Sequence, residues 1–173
     1  MPLVFPEAKP NGTRVVVPFA IGGKSAPWPL SAVRLALVQD GWVPEFRHMV
    51  HGESYYELLC EMWQAGQTFI TVEHDIVVWP GGIQELVNCP EGWCTLPYYC
   101  SAGWIEDGLG CTKFSAQFIA EFPDLLKPPF PSCCRHTTNY CGLDRLIGHR
   151  MEEVGRKPHV HAPGVTNLNE RWT

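Results

Sequence analysis

Three ionisable residues, Glu73, His74 and Asp75, interrupt the otherwise apolar run TFITVEHDIVVWPGG at residues 68–82. On an extended backbone, Glu73 and Asp75 point to one side and His74 to the other. Two neighbouring carboxylates repel each other and are costly to bury unless a cation lies between them or one takes a proton. A hard ion such as Mg²⁺ or Mn²⁺ would relieve this repulsion, because it typically uses one or two protein carboxylates together with water and substrate phosphates. The alternative is a strand that ends at Val72 and continues into a solvated turn.

Eight cysteines provide a second set of reactive side chains. A chain of 173 residues does not need a disulfide scaffold, and its first residues lack the pattern of a signal peptide. We therefore expect reduced thiols that mostly pack as small core side chains. The tightest group could instead ligate zinc, although no paired C-x-x-C occurs; it consists of Cys133, Cys134, His136 and Cys141.

The first part of the chain alternates between strand and helix signals. The β-branched run at residues 14–21 predicts a strand. A loop with two prolines follows, and a helix is predicted after Ser31, ending at Gly41. Residues 42–50 favour a second strand.

The strongest helix signal begins at Ser54. Glu57, three residues later, completes a capping box, apolar residues recur at helical spacing, and Gly66 supplies a C-terminal stop. The apolar strand at residues 68–72 follows at once and is typical of parallel sheets that are covered on both faces.

The rest of the chain continues the alternation. Helices are predicted at residues 81–88, from Ser115 and at 143–155, and strands at 93–100, 109–114 and 158–162. This order predicts an α/β fold with a mostly parallel sheet, in one domain spanning residues 1–173. Ligands of such sheets bind beyond the carboxyl ends of the strands, which is where Glu73 and Asp75 fall.

Composition excludes several classes of function. The charged fraction is 18%, the hydrophobic fraction is 45% and seven tryptophans are present, so the chain is globular. A net charge of −5 gives no overall attraction to nucleic acid or to anionic membranes. No apolar run is long enough to span a membrane, and we expect a cytoplasmic protein. Nucleophilic hydrolysis is poorly supported because no G-x-S-x-G occurs and no cysteine stands in a recognisable catalytic frame.

Two segments carry a resemblance to a known family. The segment AGQTFITVEHDIVVWPGGIQELV, residues 65–87, resembles the core of nucleotide-sugar glycosyltransferases of the GT-A fold, of a small family-2-like type such as phages or bacteria have. Its matching positions are Ala65, Gly66, Phe69, Ile70, Glu73, Asp75, Pro80 and Ile83. Residues 142–163 resemble the family's later part, in which an Asp begins a helix that ends at Gly and a strand carrying His follows; the positions are Asp144, Gly155, and His159 or His161. The resemblance covers about residues 14–163 and implies a Rossmann-like α/β/α sandwich with a mixed, mainly parallel sheet.

The resemblance implies a metal site. Asp75 matches the family's acidic-motif Asp, which binds Mn²⁺ or Mg²⁺ against the nucleotide diphosphate. Glu73 stands where Asp is usual, so its longer side chain reaches the metal directly, through water, or reaches the ribose instead. His161 is similar to the late His that closes the metal shell, and His159 is the second candidate because it lies on the same side of a strand. For either histidine, a hydrogen-bonded strand residue is the alternative.

The resemblance also implies a base and a nucleotide subsite. Asp144 matches the catalytic base, which takes the proton of the acceptor hydroxyl in an inverting transfer; its alternative role is that of a helix N-terminal residue favoured by the dipole. Phe19 and Ala20, at the end of the first strand, would line the base or ribose, and Lys24 would contact phosphate. The stretch around Lys24 could also be a simple turn, since no phosphate-loop motif is present.

The resemblance implies a nucleotide-sugar donor, with a UDP-sugar favoured. The acceptor could be a glycan, a protein, a small molecule or a modified DNA base. Two other functions fit the same residues: a nucleotidyltransferase, and a non-catalytic protein that binds a nucleotide or nucleotide sugar.

Overall fold

The computed structural model describes residues 12–20, 27–100, 103–128 and 142–168. Lys24 and the predicted zinc group, Cys133, Cys134, His136 and Cys141, lie outside these ranges.

A six-stranded sheet forms the centre of the molecule, in the order β2-β1-β3-β8-β5-β9. Its strands are β1 (Arg14–Phe19), β2 (Glu45–His48), β3 (Phe69–Val72), β5 (Trp93–Thr95), β8 (Cys111–Phe114) and β9 (His159–Val160). The pairs β1–β2, β1–β3 and β5–β9 are parallel, while β8 runs antiparallel to both of its neighbours, β3 and β5. The mixed, mainly parallel sheet is therefore as predicted.

Two small antiparallel sheets flank the main one. They pair β4 (Ile76–Val78) with β10 (Val165–Asn167), and β6 (Tyr98–Cys100) with β7 (Gly103–Ile105). The helices are α1 (Pro27–Gln39), α2 (Ser54–Ala65), α3 (Gly82–Asn88), α4 (Ala116–Glu121) and α5 (Leu143–Glu153).

Each face of the sheet is covered by its own apolar core. Along β1 the buried side chains alternate, so that Val16 packs with α2, α4 and α5, whereas Val15 and Val17 pack with α1 and α3. β3 divides in the same way, with Phe69 on the first face and Ile70 on the second. The predicted α/β/α sandwich is thus confirmed.

Two local predictions were wrong. α1 begins at Pro27 and not after Ser31, because proline fits the first turn of a helix, where its missing N–H is not needed. At α2 the capping box does not form: Glu53 is the N-cap, and the Ser54 hydroxyl accepts hydrogen bonds from the backbone of Val50 and His51 instead. The Gly66 stop is confirmed, with a left-handed φ of 65°.

Among the described residues, none of the helices has the length and apolar character that a bilayer crossing requires.

Candidate functional site

The acidic residues lie in a turn at the carboxyl end of β3, a central strand. The strand ends at Val72, and the Ile76 N–H closes the turn on the Glu73 carbonyl at 3.0 Å. The extended geometry that would point both carboxylates to one side is therefore absent. The turn is not a solvated one, however, because Asp75 is only 9% exposed and Glu73 is half-buried.

Neighbouring loops hold this acidic turn from two sides. The Glu73 N–H donates to the Gly110 carbonyl at 2.9 Å, just before β8. The Leu168 N–H donates to the Asp75 carbonyl at 2.8 Å, just after β10. Since β8 runs antiparallel to β3, its preceding loop reaches the same edge of the sheet as the acidic turn.

Tyr98 is the buried residue on which three acidic groups act. Burial raises the pKa of Tyr98 above its ordinary value of 10.0, and the charges of Glu73, Asp144 and Asp75 raise it further. Two glycines allow its ring to lie here: a Cβ at Gly110 would stand 2.5 Å from Tyr98 Cε1, and one at Gly108 2.5 Å from its hydroxyl oxygen. Hydrogen bonds place the acidic groups together as well, because Glu73 bonds Gly110 and Asp144 bonds the adjacent Leu109, so the two predicted metal carboxylates and the predicted base share one region.

Asp144 lies in the first turn of α5 and contacts the same loop. Its Oδ1 accepts a 2.9 Å hydrogen bond from the N–H of Leu109, a residue that is 1% exposed. Asp144 as a residue is exposed, but its carboxyl group is buried, and this burial raises its pKa above the ordinary 3.8. The hydrogen bond from Leu109 lowers the pKa in part, and the charge of Asp107 raises it. A carboxylate with a raised pKa suits proton abstraction, and the same hydrogen bond also gives Asp144 a structural role.

The predicted nucleotide subsite lies at the carboxyl end of β1. The half-buried Phe19 ring stacks on His48 of β2, with centroids 5.3 Å apart and planes 25° apart, and the adjacent Ala20 is exposed. An aromatic pair at a strand end offers a surface on which a planar base can stack.

The two predicted metal histidines lie elsewhere in the sheet. β9 is three positions from β3, a lateral distance of about 14 Å at about 4.8 Å per strand. His159 and His161 are instead grouped with Cys89 and Cys94, all four ligand atoms lying within 4.8 Å of one another. In the described part of the chain this is the one such group of three or more ligands, so Glu73, Asp75 and His161 do not form one.

The sequence reasoning did not find Tyr98, Cys89 or Cys94. Cys89 and Cys94 form a C-x₄-C, which is within the usual spacing of zinc ligands; Cys89 precedes the turn before β5 and Cys94 lies in β5. The H-x-H of His159 and His161, at β9 and the position after it, was a second signal, because alternate residues of an extended chain share a face.

A cavity of about 490 Å³ lies on the α5 side of the sheet. Trp93, Trp104 and Asp107 line it together with Gly148, which is one helical turn after Asp144. Asp107 thus borders the cavity and also acts on the Asp144 carboxyl. Trp104 is 47% exposed and offers an aromatic wall.

No protein-family model and no curated protein matches the chain. Solved structures do match its fold. The A197 protein from STIV is 16% identical, with a TM-score of 0.52 over 88% of this chain and 83% of that one. A glycosyltransferase involved in the glycosylation of the major capsid of PBCV-1 is 7% identical, with a TM-score of 0.51 over 91% and 95%. A proposed glucose-1-phosphate thymidylyltransferase from Bacillus anthracis, in complex with sucrose, is 8% identical, with a TM-score of 0.56 over 88% and 87%.

These likenesses define the fold class. The chain has a GT-A-like fold, which it shares with a glycosyltransferase and with a nucleotidyltransferase. Sequence identities this low establish only the shared fold, so the reaction must be inferred from the residues of the site.

Proposed function

We propose that the chain transfers a sugar from a nucleotide-diphosphate sugar, a UDP-sugar being favoured, to a hydroxyl acceptor with inversion. The observation that carries this proposal is that Glu73 and Asp144 are held by the adjacent residues Gly110 and Leu109, with Asp75 in the same turn as Glu73, at the carboxyl edge of the sheet in a GT-A-like fold. Ligands of open α/β sheets bind at that edge.

The donor set suits a hard divalent cation. Glu73 and Asp75 offer carboxylate oxygens from one short turn, and Asp75 is almost fully buried. Both would hold Mn²⁺ or Mg²⁺, whose chemistry is to neutralise the donor diphosphate and the nucleoside diphosphate that leaves. Phe19 and Ala20 would contact the base or ribose, and Lys24 the phosphates.

The remaining groups serve the acceptor. Asp144 would accept the proton of the attacking hydroxyl, and its raised pKa makes it a stronger base than an ordinary aspartate. We place the acceptor in the cavity beside Asp107 and Gly148, where the exposed face of Trp104 can stack on an apolar sugar face or another ring.

A nucleotidyltransferase is the second candidate. The likeness to the proposed thymidylyltransferase favours it, since both reactions place a nucleotide phosphate against carboxylate-held metal. The products separate the two: sugar transfer releases a nucleoside diphosphate, whereas nucleotidyl transfer releases pyrophosphate.

The test is a panel of nucleotide sugars, with and without Mn²⁺, followed by binding and by product analysis. Asp75→Asn should weaken metal-dependent donor binding by at least about tenfold, equivalent to about 1.4 kcal/mol, because the charge that pairs with the cation is gone. Asp124→Asn is the matched control, since Asp124 is an exposed carboxylate that pairs with Lys127.

Three results would contradict the proposal. They are equal donor affinity in wild type and Asp75→Asn, donor binding that does not respond to Mn²⁺, and pyrophosphate as the product. Binding without turnover of any donor would favour the non-catalytic alternative.

A further inference from the structure

A group of thiols and imidazoles lies on the α1 and α3 side of the sheet. Cys89 follows the last residue of α3, Cys94 lies in β5, and His159 and His161 come from β9 and the position after it. β9 pairs in parallel with β5, with His159 in register with Cys94, so the two histidines and the two cysteines meet at this edge of the sheet. The ligand atoms of all four lie within 4.8 Å of one another.

The spacing of these atoms is close to that of a tetrahedral zinc site. With Zn–S of about 2.3 Å and Zn–N of about 2.0–2.1 Å, neighbouring ligand atoms stand about 3.3–3.8 Å apart. The Cys89 Sγ lies 3.1 Å from His159 Nδ1, so this pair has to open by a few tenths of an ångström. The other pairs of ligand atoms lie within 4.8 Å of each other, so they have to close by at most about 1–1.5 Å.

His161 is already oriented as a metal ligand. Its Nδ1 lies 2.7 Å from Glu85 Oε1, while its Nε2 is buried and has no hydrogen-bond partner among the described residues. A buried nitrogen without a partner is costly, and a carboxylate on the opposite ring nitrogen is the usual support of a metal-bound histidine. Glu85 therefore has the position of an outer-shell residue.

A buried lysine lies beside the cysteines, and the four donor atoms of the group suit zinc. Lys113 is 3% exposed, and its Nζ donates to the Cys89 carbonyl at 2.6 Å. Two thiolates and two imidazoles are a soft donor set that selects zinc over Mg²⁺ or Mn²⁺.

We propose that Cys89, Cys94, His159 and His161 bind one Zn²⁺ ion as a structural site, separate from the carboxylates of the acidic turn. Binding releases the two thiol protons and leaves the histidines neutral. Four protein ligands fill the tetrahedral shell, so the ion fixes β9 to the turn between α3 and β5. That attachment matters because β9 is a two-residue edge strand in a segment that connects α5 to β10.

The first measurement is the metal content of the chain of residues 1–173. Protein purified with zinc in the medium should contain about one zinc per chain. Replacement of zinc by Co²⁺ should give thiolate-to-cobalt charge-transfer bands and the intense visible bands of tetrahedral coordination. Removal of the ion by a chelator should lower the melting temperature, and added Zn²⁺ should restore it.

Variants then assign the site to these residues. His159→Ala is the main one, because His159 is exposed and its loss leaves the core intact; it should reduce the bound zinc to near zero after dialysis, as should Cys94→Ser. Glu85→Gln should keep the stoichiometry but lower zinc affinity about 10–100-fold. Cys111→Ala is the matched control as a buried cysteine of the same face outside the group.

Two further outcomes would overturn the proposal. If zinc is lost in a Cys133→Ser/Cys134→Ser variant but kept in His159→Ala, the ion belongs to the other cysteine group. If the purified chain holds no zinc and mass spectrometry finds Cys89 and Cys94 joined as a disulfide, the pair is a redox couple. Because every readout is metal content, spectrum or stability, the result does not depend on whether the chain transfers sugar.

Discussion

Replacing Asp144 by asparagine and by alanine separates its two possible roles. Asparagine keeps an oxygen that can accept the Leu109 N–H bond but cannot take a proton. Alanine removes both functions and leaves the Leu109 N–H, in a residue that is 1% exposed, without an acceptor. The chemical contribution and the structural one therefore appear in different variants.

The magnitudes differ enough to be measured. Loss of a general base costs about 10²–10⁴ in rate, which corresponds to about 2.7–5.4 kcal/mol of activation free energy. The favourable interaction of this charge with the start of α5 is worth only about 0.3–1 kcal/mol, and the raised pKa of the carboxyl group opposes it, so loss of the charge alone should change stability little in either variant. Alanine should cost about 1–3 kcal/mol more, because a buried donor is left unsatisfied.

The assay combines single-turnover transfer with urea unfolding on the wild type and both variants. Transfer should fall by about 10²–10⁴ in Asp144→Asn and in Asp144→Ala, and only the alanine variant should lose the larger increment of stability. In the wild type the acid limb of the rate profile should lie above pH 3.8, since the base must be deprotonated and its pKa is raised. Asp107→Asn should move that limb to lower pH, because it removes a charge that raises this pKa.

One result would remove Asp144 from the mechanism: a stable Asp144→Asn variant with undiminished transfer. Equal losses of stability in both variants would instead show that the amide cannot replace the carboxylate at Leu109.

Two further predictions concern stability. Gly110→Ala should destabilise the fold by about 1–3 kcal/mol, because its Cβ would stand 2.5 Å from the Tyr98 ring. Gly148→Ala should stabilise it by up to about 1 kcal/mol, because Gly148 is in a helix and the nearest atom to its Cβ would be 3.8 Å away. Equal effects of the two substitutions in urea unfolding would contradict the packing around Tyr98. Hydrogen bonds from Arg14 lower the pKa of Glu45 in the folded chain. Their contribution to folding stability is therefore fully present above pH 4.5, the ordinary pKa, and is lost as the pH falls through the lowered pKa of the folded state. Melting curves of wild type and Glu45→Gln should therefore converge in acid, and a gap that stays constant with pH would refute the assignment.

The sequence predicted the layered fold well because the main elements carry local signals. The local sequence alone predicts the apolar strand that ends at Val72 and the helix stop at Gly66. The reversal of β8 is not, because strand direction is decided by how the connections pack, and the residues of an antiparallel strand buried on both faces look like those of a parallel one.

The site was predictable only in part, for a similar reason. Glu73 and Asp75 attract notice as charges within an apolar run, and Asp144 as an acid at a helix start. The grouping of Cys89 with His159 joins residues 70 positions apart through the pairing of β9 with β5, which no local pattern encodes. Tyr98 was not predicted, because its position beside the acidic groups depends on the loop glycines Gly108 and Gly110 that pack against its ring.

The pairing of β4 with β10 has a consequence for the order of folding. Asn167 stands opposite Ile76, so the strand that leaves the acidic turn finds its partner 91 positions later in the chain (167 − 76). A contact of such long range closes slowly and costs chain entropy before it contributes stability. The central strands can form from residues made early, but the turn that carries Asp75 acquires the Leu168 hydrogen bond only after the late segment has joined. During synthesis, the acidic turn would therefore become complete after the central strands that support it.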